Sequence, residues 1–359
     1  MSASYLRNMK RTLLILALTF ATLLSAQPKK QMVRIGGGRQ HDTKDWPRAE
    51  AGLPALEKFL GEMVARDLFS GTVLVSRGNE TVLFKSFGLA DKAQGIANAN
   101  DTKYNIGSIN KIFTKVALLQ LRAEGKIDFS KTLRTYLPDY ASPIADRITI
   151  QQLIDMSSGM GDFFGPKFDA ASRDGIRTLQ DYVPFFIDRP LEFEPGQGRR
   201  YSNAGYIVLG LVIEKLSGMS YYDYVRTRIY EPAGMKDSDS YPVDAIVARR
   251  ATGYMGPKHE RSNIYELPAR GSSAGGGYST AEDLVRFLRA LPKLLSREDY
   301  LRFIGDPPAV GWGGGTGGVN AAVEAEGEYT IVVLSNYDPP AAEHVAMNAR
   351  RALGLPLDE

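Results

Sequence analysis

The sequence contains no cysteine, which excludes disulfides, thiol nucleophiles and cysteine-ligated metal centres. Histidine is nearly as scarce. His41, His259 and His344 stand far apart and none falls in a short metal-binding spacing, so surface or structural roles are expected for them. Past the N-terminal region no stretch stays apolar for the about 20 residues that a membrane-spanning helix needs. An excess of one charge is lacking too: 44 lysines and arginines against 41 aspartates and glutamates leave +3. With no concentrated basic patch, nucleic acid has no electrostatic footing and is not an expected partner. No internal repeat points to a solenoid or propeller.

What is present begins with enough apolar material for a sizeable core. The 359 residues, 43% of them hydrophobic, suffice for one large domain or two closely packed lobes. Residues 1–26 are set apart: Arg7, Lys10 and Arg11 precede an apolar run from Leu13 to Leu24, then Ser25 and Ala26. This is the layout of a signal peptide, and a periplasmic or secreted location is expected. Leu24 fits poorly at the position where a small residue precedes the cut, so an uncleaved N-terminal anchor is the alternative. Removing the segment removes three basic groups and no acidic one, leaving a mature charge near zero. Residues 27–45, with Gly36 to Gly38, read as an exposed leader.

From residue 46 to 353 the pattern is that of one domain, followed by a tail at 354–359. Pro47 opens a predicted helix to Ala65. Gly71 to Arg77 and Thr81 to Phe87, around Gly78-Asn79, predict an antiparallel hairpin. Helices are predicted over 111–124, 150–156, 179–186, 204–216, 221–229 and 283–291, with Gly218 as a cap and Pro232 as a stop. Strands return at 318–326 and 329–334, and a last helix begins near Ala341. Strands at both ends and helices between them predict an α/β class in an α+β arrangement, the terminal strands completing one sheet around a helical insertion.

Three stretches carry candidate chemistry. In Gly107-Ser108-Ile109-Asn110-Lys111 the serine falls where a helix begins, and residues three apart share a face, so the Lys111 amine can approach the Ser108 hydroxyl. A hydroxyl needs a base to become a nucleophile, and a buried lysine supplies one once desolvation favours its neutral form. The helix start also offers a backbone N–H to a developing oxyanion. Taken alone, Ser-x-x-Lys is common enough to be a capping serine beside a solvated lysine. Tyr201-Ser202-Asn203 precedes an amphipathic helix; the phenol can relay a proton if nearby cations lower its pKa, and the Asn203 amide can orient a substrate or hydrogen-bond to Lys111. The plain alternative is a packing tyrosine and a helix cap. Gly311 to Gly318, interrupted only by Trp312 and Thr316, lets a ligand approach the main chain closely, or is a flexible hairpin loop.

Together, and in this order, Ser108-Ile109-Asn110-Lys111, Tyr201-Ser202-Asn203 and the glycine-rich strand start resemble the superfamily of penicillin-binding proteins and class C β-lactamases, which includes D-alanyl-D-alanine carboxypeptidases and related esterases. Gly88 to Asp91, Leu153 to Met160, Gly275 to Leu284 and Val332 to Asn336 extend the resemblance, which runs from Leu56 to Leu353. It implies a β-lactamase/transpeptidase-like fold: an antiparallel sheet flanked by helices, with a helical lobe and the cleft between. It implies that Ser108 forms an acyl-enzyme, Lys111 takes and returns its proton, Tyr201 assists the later transfer, and Asn203 stands beside it. The backbone of Ser108 and Gly315 would hold the oxyanion. The expected partner is a small-molecule or peptide acyl substrate, and no cofactor or metal is implied.

One position departs from the pattern. The family's third motif usually begins with lysine or histidine, whereas Trp312-Gly313-Gly314 stands here. Indole cannot supply that cation, so β-lactam and D-alanyl peptide substrates lose a partner for their carboxylate, while ester or amide hydrolysis remains open; Arg199 or Arg200 is a candidate replacement. A catalytically impaired member that binds peptide or envelope material is the non-enzymatic alternative. A second enzymatic one is an α/β-hydrolase: Gly271-Ser272-Ser273-Ala274-Gly275 fits Gly-x-Ser-x-Gly with Ser273 as nucleophile, and Asp283 and His344 follow in triad order.

Overall fold

A computed structural model describes residues 43–357. The segment read as a signal peptide, and residues 27–42 of the expected leader, lie outside the described residues. Five strands form the main sheet: β1 (Gly71–Arg77), β2 (Glu80–Phe87), β3 (Ala309–Thr316), β4 (Val319–Glu326) and β5 (Tyr329–Ser335), in the order β2-β1-β5-β4-β3. Every neighbouring pair is antiparallel. β1 pairs with β5 from Gly71 opposite Ser335 to Arg77 opposite Tyr329, which joins the two ends of the chain as expected. The hairpins turn at Gly78, Gly318 and Gly327, all with positive φ, the backbone region that tight two-residue connections require.

Successive side chains of a strand point to opposite faces, and here both faces are covered. Leu74, Val332, Leu334, Ala321 and Val323 enter the larger core beneath the helical lobe. Val73, Val75, Ile331, Val333 and Ala322 enter a second core, formed with α1 (Leu53–Ala65) and α5 (Ala341–Ala352). This double burial is why Ile331 to Leu334 reads as an unbroken apolar run. The lobe is built on α2 (Asn110–Ala123), α3 (Asn203–Ser217) and α4 (Ala281–Leu294). Phe113 of α2 is fully buried and meets Tyr230 and Phe287 edge-on, at centroid distances of 5.0 and 4.9 Å. It anchors the helix that follows Ser108.

The structure shifts several predicted boundaries. The first helix starts at Leu53, not Pro47: Gly52 has φ 101° and donates its N–H to the Ala352 carbonyl at 2.7 Å, and Pro54 occupies the first turn, where a missing N–H costs nothing. The predicted helix over 179–186 is a 3₁₀ run, Gln180–Phe185, containing Pro184. The helix from Tyr221 passes Ile229 through a π turn at Arg226–Tyr230. It ends at Gly234 in left-handed conformation, with Pro232 inside its last turn. The glycine stretch is neither a loop nor the approach to a strand; Gly311 to Gly315 lie within edge strand β3 itself.

Candidate active site

Ser108 sits in a 3₁₀ turn, Gly107–Ile109, that runs directly into α2. The turn is gripped from two sides by backbone that tolerates no side chain. On one side is β3: a Cβ on Gly314 would stand 2.2 Å from the Ile106 carbonyl and 2.9 Å from the Ser108 nitrogen, and one on Gly107 2.9 Å from the Gly315 nitrogen. On the other side is the segment 271–277. Gly277 accepts the Ile106 N–H at 2.9 Å, Gly276 donates to the Gly107 carbonyl at 3.2 Å, and the Asn110 amide reaches the Ser272 carbonyl at 2.8 Å. These glycines therefore serve close packing against the serine turn, the use that interior strand glycine commonly has.

Lys111 lies one helical turn on, with its Nζ 3.3 Å from Ser108 Oγ, as the three-residue spacing predicts. The same amine donates to Asn203 Oδ1 at 2.7 Å and to the Ala274 carbonyl. It also stands 4.7 Å from the Tyr201 ring centre and 5.4 Å from that of Tyr206. Burial, opposed by the nearby Asp162 carboxylate and reinforced by Lys115, brings the Lys111 pKa down from 10.5 to about 7. Roughly half of the molecules then carry a neutral amine at pH 7, against well under one in a thousand for an exposed lysine. Lys115, one turn further along α2, is lowered as well, chiefly by burial.

Tyr201 completes the arrangement, its phenol donating to Ser108 Oγ at 2.8 Å. Ser202 fixes the start of α3 by accepting the Gly205 N–H at 2.9 Å and donating to the Gly161 carbonyl at 2.7 Å. The sequence reading required cations to depress the Tyr201 pKa. Burial wins instead and pushes it far up, only partly offset by the hydrogen bond with Ser108, so the phenol stays protonated and acts as a donor. Ser108 Oγ thus has a phenol on one side and an amine near neutrality on the other.

The competing constellation is taken apart by the fold. Ser273 is fully buried and donates to the Tyr206 carbonyl at 2.7 Å. Asp283 accepts from the Asp237 N–H and the Ser238 hydroxyl and pairs with Arg286. His344 belongs to α5 on the opposite face of the sheet, bonded to the Pro47 carbonyl at 2.8 Å and packed against Trp46 and Phe59. Three residues with three separate sets of partners form no triad, which corrects the α/β-hydrolase reading. The Gly271 to Gly275 stretch is instead the wall behind the serine turn.

Trp312 lies on the same face of β3 as Gly314, two residues before it and opposite Val323. Its ring is partly buried against Phe303, with centroids 5.5 Å apart. Of the suggested replacement cations, Arg200 is paired with Glu192 at 2.7 Å, and Arg199 acts electrostatically on Lys115. Gly315 faces Asn320 across the ladder, next to the Thr316–Val319 pair that closes the turn. Sequence reasoning missed Asp162 and the Ala274 carbonyl. Asp162 lies two residues beyond a stretch already singled out, but only the fold brings it to Asn203, and a main-chain carbonyl has no signature in sequence.

A family profile described as Beta-lactamase matches residues 56–305. The chain belongs to the beta-lactamase family. It is 30% identical over 254 residues to penicillin-binding protein 4* of Bacillus subtilis (strain 168), covering 67% of this chain and 55% of that protein. It is 28% identical over 297 residues to esterase EstB of Burkholderia gladioli, covering 70% and 75%. The crystal structure of a penicillin binding protein from Bacillus halodurans superposes with a TM-score of 0.72 at 30% identity, covering 80% of this chain and 97% of that one. The chain spans little more than half the length of the curated penicillin-binding proteins it matches. The family match ends before β3, so Trp312 and Gly315 lie beyond it.

Proposed function

We propose that this member of the beta-lactamase family is an exported serine hydrolase that cleaves esters or amides lacking a carboxylate at the recognition position, through an acyl-enzyme on Ser108. The observation that carries the reading is the placement of Ser108 Oγ between the Tyr201 phenol at 2.8 Å and the Lys111 amine at 3.3 Å. Neutral Lys111 takes the Ser108 proton as Oγ bonds to the substrate carbonyl carbon. The oxygen of the tetrahedral intermediate is held by the N–H groups of Ser108 and Gly315; in an antiparallel ladder alternate residues turn their N–H outward, and this assignment gives Gly315, at the open edge, to the substrate. As the bond to the leaving group breaks, the Tyr201 phenol gives it a proton and is resupplied by the Lys111 ammonium. Water then attacks the acyl carbon, its proton passes to the Tyr201–Lys111 pair, and Ser108 leaves with a proton restored.

Trp312 supports the neutral preference, because an indole packed on Phe303 stands where a cation would pair with a carboxylate. The basic and then apolar residues 1–26 support export to the periplasm or beyond. Among the described residues no helix is long and apolar enough to cross a membrane. The test is to incubate the mature protein with a serine-directed phosphonate and locate the adduct by peptide mass spectrometry. Labelling at Ser108, lost in Ser108→Ala and strongly reduced in a folded Lys111→Ala, is expected. Labelling at Ser273 alone, or no labelling and no turnover across neutral and anionic acyl substrates, would overturn it.

A further inference from the structure

Asp162 lies in the loop that follows Gly159-Met160-Gly161, and its carboxylate is fully engaged. Oδ2 accepts from Asn203 Nδ2 at 2.7 Å, while Oδ1 accepts from the N–H groups of Phe163 and Phe164 at 2.7 and 3.3 Å. The loop is clamped from behind by Arg189, whose guanidinium bonds the carbonyls of Asp162, Phe163 and Phe164 at 2.5, 3.5 and 2.9 Å. Asn203 in turn contacts Lys111 through Oδ1.

A carboxylate only accepts hydrogen bonds, so the amide edge facing Asp162 must be the NH₂ edge and the edge facing Lys111 must be the carbonyl. This orientation matters to a lysine that acts as a base. A neutral amine has two N–H groups and one lone pair; with Asn203 Oδ1 and the Ala274 carbonyl taking the two N–H groups, the lone pair is left for Ser108. A flipped Asn203 would aim its NH₂ at Lys111 and could take up that lone pair. We propose that Asp162 is a positioning residue for catalysis: acting through Asn203, it holds the amide in the orientation that leaves the Lys111 lone pair free for Ser108, and it places one negative charge beside the amine. This rests on the acyl-enzyme reading given above. The groups around Lys111 are Ser108 in the turn before it, Lys115 on its own helix, the rings of Tyr201 and Tyr206, the Asn203 amide, the Ala274 carbonyl and Asp162; among the described residues the last is the carboxylate that acts on it.

The experiment compares the pH dependence of kcat/KM, and of Ser108 labelling, in the wild type, Asp162→Asn and Asp162→Ala, each confirmed as folded by circular dichroism. Asp162→Asn keeps an acceptor for Asn203 but removes the charge, so the acid limb should move to lower pH by roughly half to one unit. Asp162→Ala also frees the amide to flip, and its plateau should fall about tenfold or more below that of the asparagine variant. Because the effect passes through Asn203, the plateau loss from Asp162→Ala should shrink to less than about twofold in an Asn203→Ala background. An acid limb at the wild-type pH in a folded Asp162→Asn that still labels at Ser108, or full additivity with Asn203→Ala, overturns the role of Asp162 alone. A folded wild type that neither labels nor turns over overturns the acyl-enzyme reading and this inference with it. If the alanine variant does not fold, the limb position in the asparagine variant decides.

Discussion

Gly314 faces Ser108 so closely that a β-carbon on the glycine would stand 2.9 Å from the serine nitrogen and 2.2 Å from the Ile106 carbonyl behind it. Both neighbours are backbone, so no side-chain rotation relieves the contact, and the strand or the serine turn must move. Gly314→Ala is expected to slow phosphonate labelling of Ser108 by about tenfold or more, since displacements on the order of an ångström cost catalysis heavily. The rate should fall even in protein that remains folded by circular dichroism. An unchanged labelling rate would show that β3 does not set the geometry of the serine turn.

A lysine that acts as the neutral base gives activity that rises with pH. With its pKa near 7, the acid limb of kcat/KM should have its midpoint close to neutrality, and Lys111→Ala should lose about 10²- to 10⁴-fold on the plateau. The same depression leaves a signature in stability. Between about 7 and 10.5 the unfolded chain binds a proton that the folded chain does not, so this group makes stability rise with pH across that window. Thermal melts of Lys111→Met should show a flatter pH dependence than the wild type there.

Tyr201→Phe keeps the ring and removes the donor to Ser108. If the phenol hands a proton to the leaving group, the loss should depend on the leaving group: about 10²-fold for alkyl esters or anilides, and much less for nitrophenyl esters, whose nitrophenoxide leaves without a proton. Equal losses for both would place the phenol outside the proton path.

Replacing Trp312 by lysine restores a cation on the face of β3 that carries Gly314. A charge-assisted hydrogen bond is worth about 1.5 to 3 kcal/mol, so carboxylate-bearing substrates should gain roughly 10- to 100-fold in kcat/KM relative to matched neutral esters. Parallel changes in both substrate classes would contradict this account.

Ser273→Ala removes one buried hydrogen bond to the Tyr206 carbonyl. A stability loss of about 1 kcal/mol with Ser108 labelling and turnover close to wild type is expected. Loss of activity in a fully folded variant would return Ser273 to consideration.

The sequence by itself determined the elements whose signals are local. Apolar β-branched runs, glycine turns and a lysine three residues after a serine need no distant partner to be read, so four of the five strands of the main sheet, α2 and the Ser108–Lys111 pair were legible. So was the order of the motifs that carry the family resemblance. Tertiary structure decided what depends on contact between segments far apart in the chain. It showed that Gly311 to Gly315 form an edge strand pressed against the serine turn, a placement set by the missing side chains and not by strand propensity. It separated Ser273, Asp283 and His344, which fit a triad in order but are each bonded to different partners, His344 on the opposite face of the sheet. It also set the direction of two pKa shifts: the same burial lowers that of Lys111 and raises that of Tyr201, because desolvation disfavours the charged form of each.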